Sequence, residues 1–185
     1  MKRNSRYSRH GGLTLVELLV ALLILAVVAT LGAPAFSRSL NSYRQRAAVQ
    51  SLLTACQLAR NEAVTGQTAV TLCPVAAGDG ACGEDYAGGW QVFVDRDDDQ
   101  NPDDDEPVLQ RFDPLIEALR VSDRAGRIPV SIPITWYPDG SARRNLTLQV
   151  CAKNDEVGDS LSVVLNLAGR PRVARGEGIC PAGSA

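Results

Sequence analysis

The spacing of apolar positions changes twice along the chain. Residues 13–33 (LTLVELLVALLILAVVATLGA) form an apolar run of 21 residues with a single charge, Glu17. A run of that length is enough to cross a bilayer as a helix. Over residues 34–65 the apolar positions Phe36, Leu40, Tyr43, Ala47, Leu52, Cys56, Ala59 and Ala63 recur at three-to-four spacing, while Arg38, Arg44, Arg46 and Arg60 fall mostly on other faces. That spacing predicts an amphipathic helix packed by one face against a sheet. Pro34 removes a backbone donor inside the helical stretch and predicts a kink, and Gly66 predicts its end. From 66 to 185 the runs are short and β-rich: QTAVTLC, WQVFVD, PVLQRF, IPVSIPITWY, ARRNLTLQVC and LSVVLNLA, divided by Gly, Pro and Asp clusters. YPDGS between two of them reads as a hairpin turn. Strands following one long helix predict an α+β fold, the helix packed on an antiparallel β-sheet domain. Nothing in the region repeats or marks a linker.

Composition narrows the function classes. With the apolar run set aside, about 120–150 residues remain, enough for one domain with its own core. The net charge is −2, but Lys2, Arg3, Arg6 and Arg9 take four of the 19 basic residues, leaving 15 against 21 acidic ones and a net of −6 beyond them. Any nucleic-acid contact must therefore come from a local patch. The sole histidine, His10, precedes the apolar run, which removes Ser-His-Asp and Cys-His nucleophile systems and most catalytic zinc sites. No paired acids sit in an apolar context, so the chain does not read as an enzyme and no cofactor is expected. Of five cysteines, Cys73 and Cys82 bracket a short Gly-rich loop, Cys151 and Cys180 lie near the C-terminus, and Cys56 falls on the helical stripe. Two pairs and one leftover suit an oxidising compartment. The expected bridges are Cys73–Cys82 and Cys151–Cys180, with Cys56 a buried free thiol. The alternative, five reduced cysteines in a cytosolic protein, conflicts with the membrane signal.

Glu17 is the position to explain, because a carboxylate near the centre of a membrane helix costs roughly 2.5–3.5 kcal/mol, less toward an end. A secretory signal peptide does not fit, since its apolar region is only about 7–15 residues, although Ala33, Pro34 and Ala35 mimic its cleavage site. A plain anchor explains the length and the basic flank, yet neither Glu17 nor the pair Gly11–Gly12. Cleavage after Gly12 explains both. It would give Leu13 an ammonium group one helical turn from Glu17, and the glutamate of one subunit could then meet the amine of the next and fix their register.

The stretch GGLTLVELLVALLILAVVATLGAP resembles the class III leader and N-terminal helix of type IV pilins and type II secretion pseudopilins, with Leu13 where the family more often has phenylalanine. The resemblance implies cleavage after Gly12 by prepilin peptidase, N-methylation of Leu13, Glu17 as the assembly residue and Pro34 as the kinking proline. It implies a cytoplasmic leader (1–12), a span of the inner membrane (13–33), an amphipathic periplasmic helix (34–65) and a β-rich periplasmic domain (66–185). The expected partners are other pilins through that helix. GGWQVFVDRD, ITWYPDG and LSVVLNLAGRPRV are similar to the FimT/GspH minor pilins, which cap or initiate a pilus or a secretion pseudopilus.

Two local patches remain. DRDDDQNPDDDE (residues 95–106) carries eight acids and one arginine. Asp95, Asp97, Asp99, Asn101, Asp103 and Glu106 fall at EF-loop positions one, three, five, seven, nine and twelve. Gln100 stands where that loop requires glycine, Pro102 follows, and a strand precedes, so a solvated acidic hairpin without metal is the expectation, with calcium the lesser alternative. The second patch is AGRPRVAR, holding Arg170, Arg172 and Arg175, with Arg143 and Arg144 earlier in sequence. Taken as residues alone, these are solvated arginines on a strand after a turn glycine. Gly169, Arg170, Pro171 and Arg172 also match the G-R-x-R motif that, in FimT proteins of natural transformation, is associated with DNA binding. Arginine forks suit phosphate oxygens. Two functions follow: a minor pilin that binds double-stranded DNA through these arginines during uptake, or a purely structural initiator of a pilus or pseudopilus with no nucleic-acid ligand.

Overall fold

The computed structural model describes residues 14–76, 80–152 and 160–180, and for 31–38 the backbone alone. Its first element is a helix, α1 (Leu15–Gly66). The chain divides into two compact units, the first ending at Leu40 and the second covering Asn41–Ala185, and α1 contributes to each. In the first unit Thr14 and Glu17 close a capping box. The Glu17 N–H donates to Thr14 Oγ1 and the Thr14 N–H to Glu17 Oε2, each at 3.2 Å, which satisfies two donors that a helix start leaves without partners. Every large apolar side chain from 15 to 28 is exposed. Among the described residues no helix is long and apolar enough to cross a membrane; the run 13–33 begins and ends outside the residues whose side chains are described. Gly12 and Leu13 also lie outside them, and Pro34 stands within the helical span with no side chain described.

In the second unit α1 buries Gln45, Ala48, Val49, Leu52, Ala55, Cys56, Ala59 and Ala63. The stripe expected from the sequence holds from Leu52 onward and fails before it. Tyr43 is 72% exposed and Ala47 is exposed, while Gln45, Ala48 and Val49 face inward. Gln45 is admitted because its Nε2 donates to the Val150 carbonyl at 2.7 Å, a partner that apolar spacing cannot reveal.

The β-region forms two antiparallel four-stranded sheets rather than one. The first, in the order β3-β2-β1-β5, comprises β1 (Val70–Pro74), β2 (Trp90–Val94), β3 (Val108–Phe112) and β5 (Ile134–Trp136). The second, β4-β6-β7-β8, comprises β4 (Leu119–Ser122), β6 (Leu146–Ala152), β7 (Leu161–Leu165) and β8 (Pro171–Arg175). One core joins α1 to both, through Leu72, Trp90, Ile134 and Trp136 of the first sheet and Val121, Leu148, Val150 and Val163 of the second. A 3-10 turn (Tyr86–Gly88) inserts Tyr86, whose hydroxyl reaches the carbonyls of Ile132 (3.0 Å) and Leu72 (3.2 Å). IPVSIPITWY yields only three residues of strand. YPDGS does turn the chain, with Gly140 N–H donating to the Tyr137 carbonyl at 2.8 Å, but the strands on either side belong to different sheets.

The outer sheet faces are covered as well. Cys73 is bonded to Cys82 and Cys151 to Cys180, and Cys56 is free and buried. The second bridge holds the C-terminal tail over β6, where Gly178 lies so close that a Cβ would stand 2.2 Å from Gln149 Oε1.

Candidate nucleic-acid interface

Gly169 is buried, with φ +69, in the turn between β7 and β8. Its N–H donates to the Asn166 carbonyl at 2.9 Å, and its carbonyl accepts the indole N–H of buried Trp136 at 3.0 Å. The left-handed backbone favours glycine. The Gly140 turn lies against it, and Arg60 of α1 reaches the same place, its Nε donating to the Gly140 carbonyl at 3.2 Å. A cleft opens here, lined by Gln57, Arg60, Asn61 and Val64 of the helix together with Asp139, Arg170 and Pro171. Two arginines line it, one from α1 and one from the turn before β8. Arg60 belongs to this cluster although its sequence neighbourhood marks it only as a helix-flank residue. No local signal links it to a turn 80 residues away.

The five arginines expected to act together do not form one patch. Arg170 is exposed at the cleft. Arg172 is engaged, its Nη2 donating to both carboxylate oxygens of Glu177 at 2.8 and 2.9 Å. Arg172 pairs with Val164 and Arg175 with Leu161, and their odd spacing puts them on opposite faces of β8. Arg143 donates to Asp98 Oδ1 at 2.7 Å, so it joins the acidic loop instead of facing away from it. The Asp98 carboxylate beside it and the Tyr137 hydroxyl hold its guanidinium above its ordinary pKa. Arg144 is half-buried, and its charge reaches Tyr86 in the core. The cleft also contains an anion. The Asp139 carboxyl lies below the usual carboxylate range, because the Ser141 side chain and backbone N–H both hydrogen-bond to it.

The acidic segment 95–106 joins β2 to β3 and is not wholly solvated: Asp95 is 0% and Glu106 6% exposed. Asp95 Oδ2 accepts the Thr71 hydroxyl at 2.6 Å, and that hydroxyl meets Thr135 Oγ1 at 2.7 Å. Gln100 Nε2 donates to the same Thr135 oxygen at 3.1 Å. The loop is thereby folded onto the outer face of the first sheet.

A family model described as type II transport protein GspH matches residues 48–169, and one described as the prokaryotic N-terminal methylation motif matches residues 7–33. The first match ends one residue short of Arg170. No curated protein matches the chain by sequence. Among solved structures, the type IV minor pilin FimU of Pseudomonas aeruginosa (strain PAO1) is similar at 17% identity and a TM-score of 0.57, over 74% of this chain and 92% of that one. The minor pseudopilin EpsH from the type 2 secretion system of Vibrio cholerae is similar at 14% identity and a TM-score of 0.51, over 71% and 97% respectively. At such identities these likenesses concern the fold, which is α+β and type IV pilin-like.

Proposed function

The chain belongs to the type II transport protein GspH family, and from that membership we propose that it is a minor subunit of a type IV pilus or of a type II secretion pseudopilus. It acts by assembly and binding rather than by catalysis. Prepilin peptidase removes residues 1–12 after Gly12 and Leu13 is methylated. Residues 13–33 hold the protein in the inner membrane, and the folded domain stands in the periplasm. Glu17 pairs with the amine of a neighbouring subunit.

The finer reading is that the domain contacts double-stranded DNA. The observation supporting it is the cleft lined by both Arg60 and Arg170, residues whose guanidinium groups suit phosphate oxygens. Arg172 joins them once Glu177 is exchanged for a phosphate oxygen. Binding is expected to be weak, independent of sequence, and steeply dependent on salt. Each phosphate contact contributes a slope of about −0.9 in log affinity against log salt. The test is fluorescence anisotropy of labelled duplex DNA with the full chain in detergent. Changing Arg60 and Arg170 together to alanine should flatten the slope by about two.

A structural initiator without a nucleic-acid ligand is the second reading, and specific contacts favour it: Glu177 on Arg172, Asp98 on Arg143 and Asp139 inside the cleft. If the parent fails to bind DNA at low salt, this second reading replaces the first; if the double variant binds as tightly as the parent, the cleft is not the contact surface.

A further inference from the structure

We propose that Asp95, Asp97 and Asp99 form a binding site for Ca²⁺ at the base of the β2–β3 loop. One carboxylate oxygen from each lies within 4.8 Å of the others. Calcium binds oxygen ligands at about 2.3–2.6 Å, so a single ion can reach all three with shifts of no more than a few tenths of an ångström.

Asp95 is the independent pointer to a ligand. It is fully buried, Thr71 occupies its Oδ2, and its Oδ1 has no hydrogen-bond partner among the described residues. A buried carboxylate oxygen left without a partner is costly. Nearby cations do not relieve it: Arg143 goes to Asp98, and Arg96 goes to Asp105. Asp97 and Asp99 each use Oδ1 to accept a backbone N–H, from Asp99 at 3.2 Å and from Asn101 at 2.7 Å. These bonds orient the two side chains and leave Oδ2 of each to a ligand. The surrounding field is negative, because Asp98, Asp103, Asp104 and Asp105 share the same loop.

Two objections raised by the sequence are answered by the geometry. Gln100 adopts φ +72, so it makes in left-handed conformation the turn for which EF loops use glycine. Glu106 is a real departure. Its carboxylate accepts the Arg96 N–H at 2.5 Å and the Asp103 N–H at 3.3 Å, and it does not converge on the other three. Losing that bidentate ligand places the expected Kd in the weak range, ~10⁻⁴–10⁻³ M.

The test is a titration of CaCl₂ into the full chain in detergent, by calorimetry and by thermal melting. One site should appear, with a melting temperature that rises with calcium and responds at least tenfold less to MgCl₂. Asp97→Asn with Asp99→Asn changes exposed side chains only. It should leave the circular dichroism unchanged and the calcium-free melt no lower than the parent's, while weakening calcium at least tenfold. Asp104→Asn with Asp105→Asn removes equal charge outside the trio and should keep binding within about threefold. No heat and no shift at 10 mM calcium (a concentration about tenfold above the expected range), equal responses to magnesium and calcium, or equal loss in both double variants would overturn the assignment.

Discussion

A Cβ on Gly169 would stand 1.9 Å from the carbonyl oxygen of Gly140. The two turns touch backbone to backbone, and the Trp136 indole and the Arg60 guanidinium each bond a carbonyl of the pair. Gly169→Ala should therefore destabilise the domain by about 2–4 kcal/mol, adding an unfavourable φ to a clash with rigid backbone. Urea denaturation measures it. A loss under 1 kcal/mol would mean that the turns separate easily. Any weakening of DNA binding in this variant reports a moved cleft, because the glycine itself offers no cation.

The acidic partners of the arginines lead to an opposite-sign expectation. Asp139→Asn keeps the acceptor for the Ser141 N–H, and Glu177→Gln keeps the size of the Arg172 partner. Each removes a negative charge beside a cation of the proposed DNA surface. Duplex affinity at low salt should rise about 2–5-fold for each, the scale of one modest charge interaction. Unchanged affinity in both would place DNA, if it binds, elsewhere on the domain.

One substitution separates the capping contact of Glu17 from its proposed role in assembly. Glutamine preserves the capping box with Thr14, since either residue serves at that position, but it cannot pair with an ammonium group as an anion. Glu17→Gln should keep the helix content of the parent by circular dichroism and insert in the membrane normally, yet be absent from sheared fibres or from cross-linked pilin complexes. Normal incorporation of Glu17→Gln together with loss in Glu17→Ala would assign the glutamate to capping alone.

The acid limb of stability should carry the signature of Asp123. Burial pushes its carboxyl up, but the Arg127 backbone N–H at 2.8 Å, the Arg127 Nε at 2.6 Å and the Ala125 N–H at 2.9 Å outweigh it, and the net direction is below the usual carboxylate value. A depressed folded-state pKa gives a contribution fully present above the unfolded value, about 3.9, and lost as pH falls through the folded one. The stability gap between parent and Asp123→Asn should be full near pH 7 and close as pH falls through the lowered folded-state value. A gap independent of pH would exclude the charge as its source.

What the sequence disclosed depended on how local the cause was. The amphipathic stripe from Leu52 to Ala63, the Cys73–Cys82 pair and most strands follow from spacing and composition within about ten residues, and Cys151–Cys180 is the pair left once Cys56 is placed on the helix. β4 (LRVS) does not stand out in the sequence, because its alternation, with Leu119 and Val121 in the core, spans only four residues and gains its place by pairing with β6. The inward Gln45 depends on one carbonyl 105 residues away. The arginines show the same limit at the candidate site. Their count could be read from the sequence, but Glu177, Asp98 and Asp139 had to be seen beside them before Arg60 and Arg170 stood out. The acidic loop was legible as a motif, while the burial of Asp95 comes from Thr71 and Thr135 on neighbouring strands.

The odd cysteine gives the fold a part in proofreading. Burial pushes the Cys56 thiol up to about 12, so the packed helix holds almost none of the thiolate that attacks disulfides. That protection exists only while α1 is seated on the sheets. In an unfolded chain Cys56 is as reactive as its four companions and is nearest in sequence to Cys73. Seating the helix removes one competitor and cuts the ways of forming two bridges from about fifteen to three. The register of α1 thus helps to select the two pairings that the sheets and the C-terminal tail then retain.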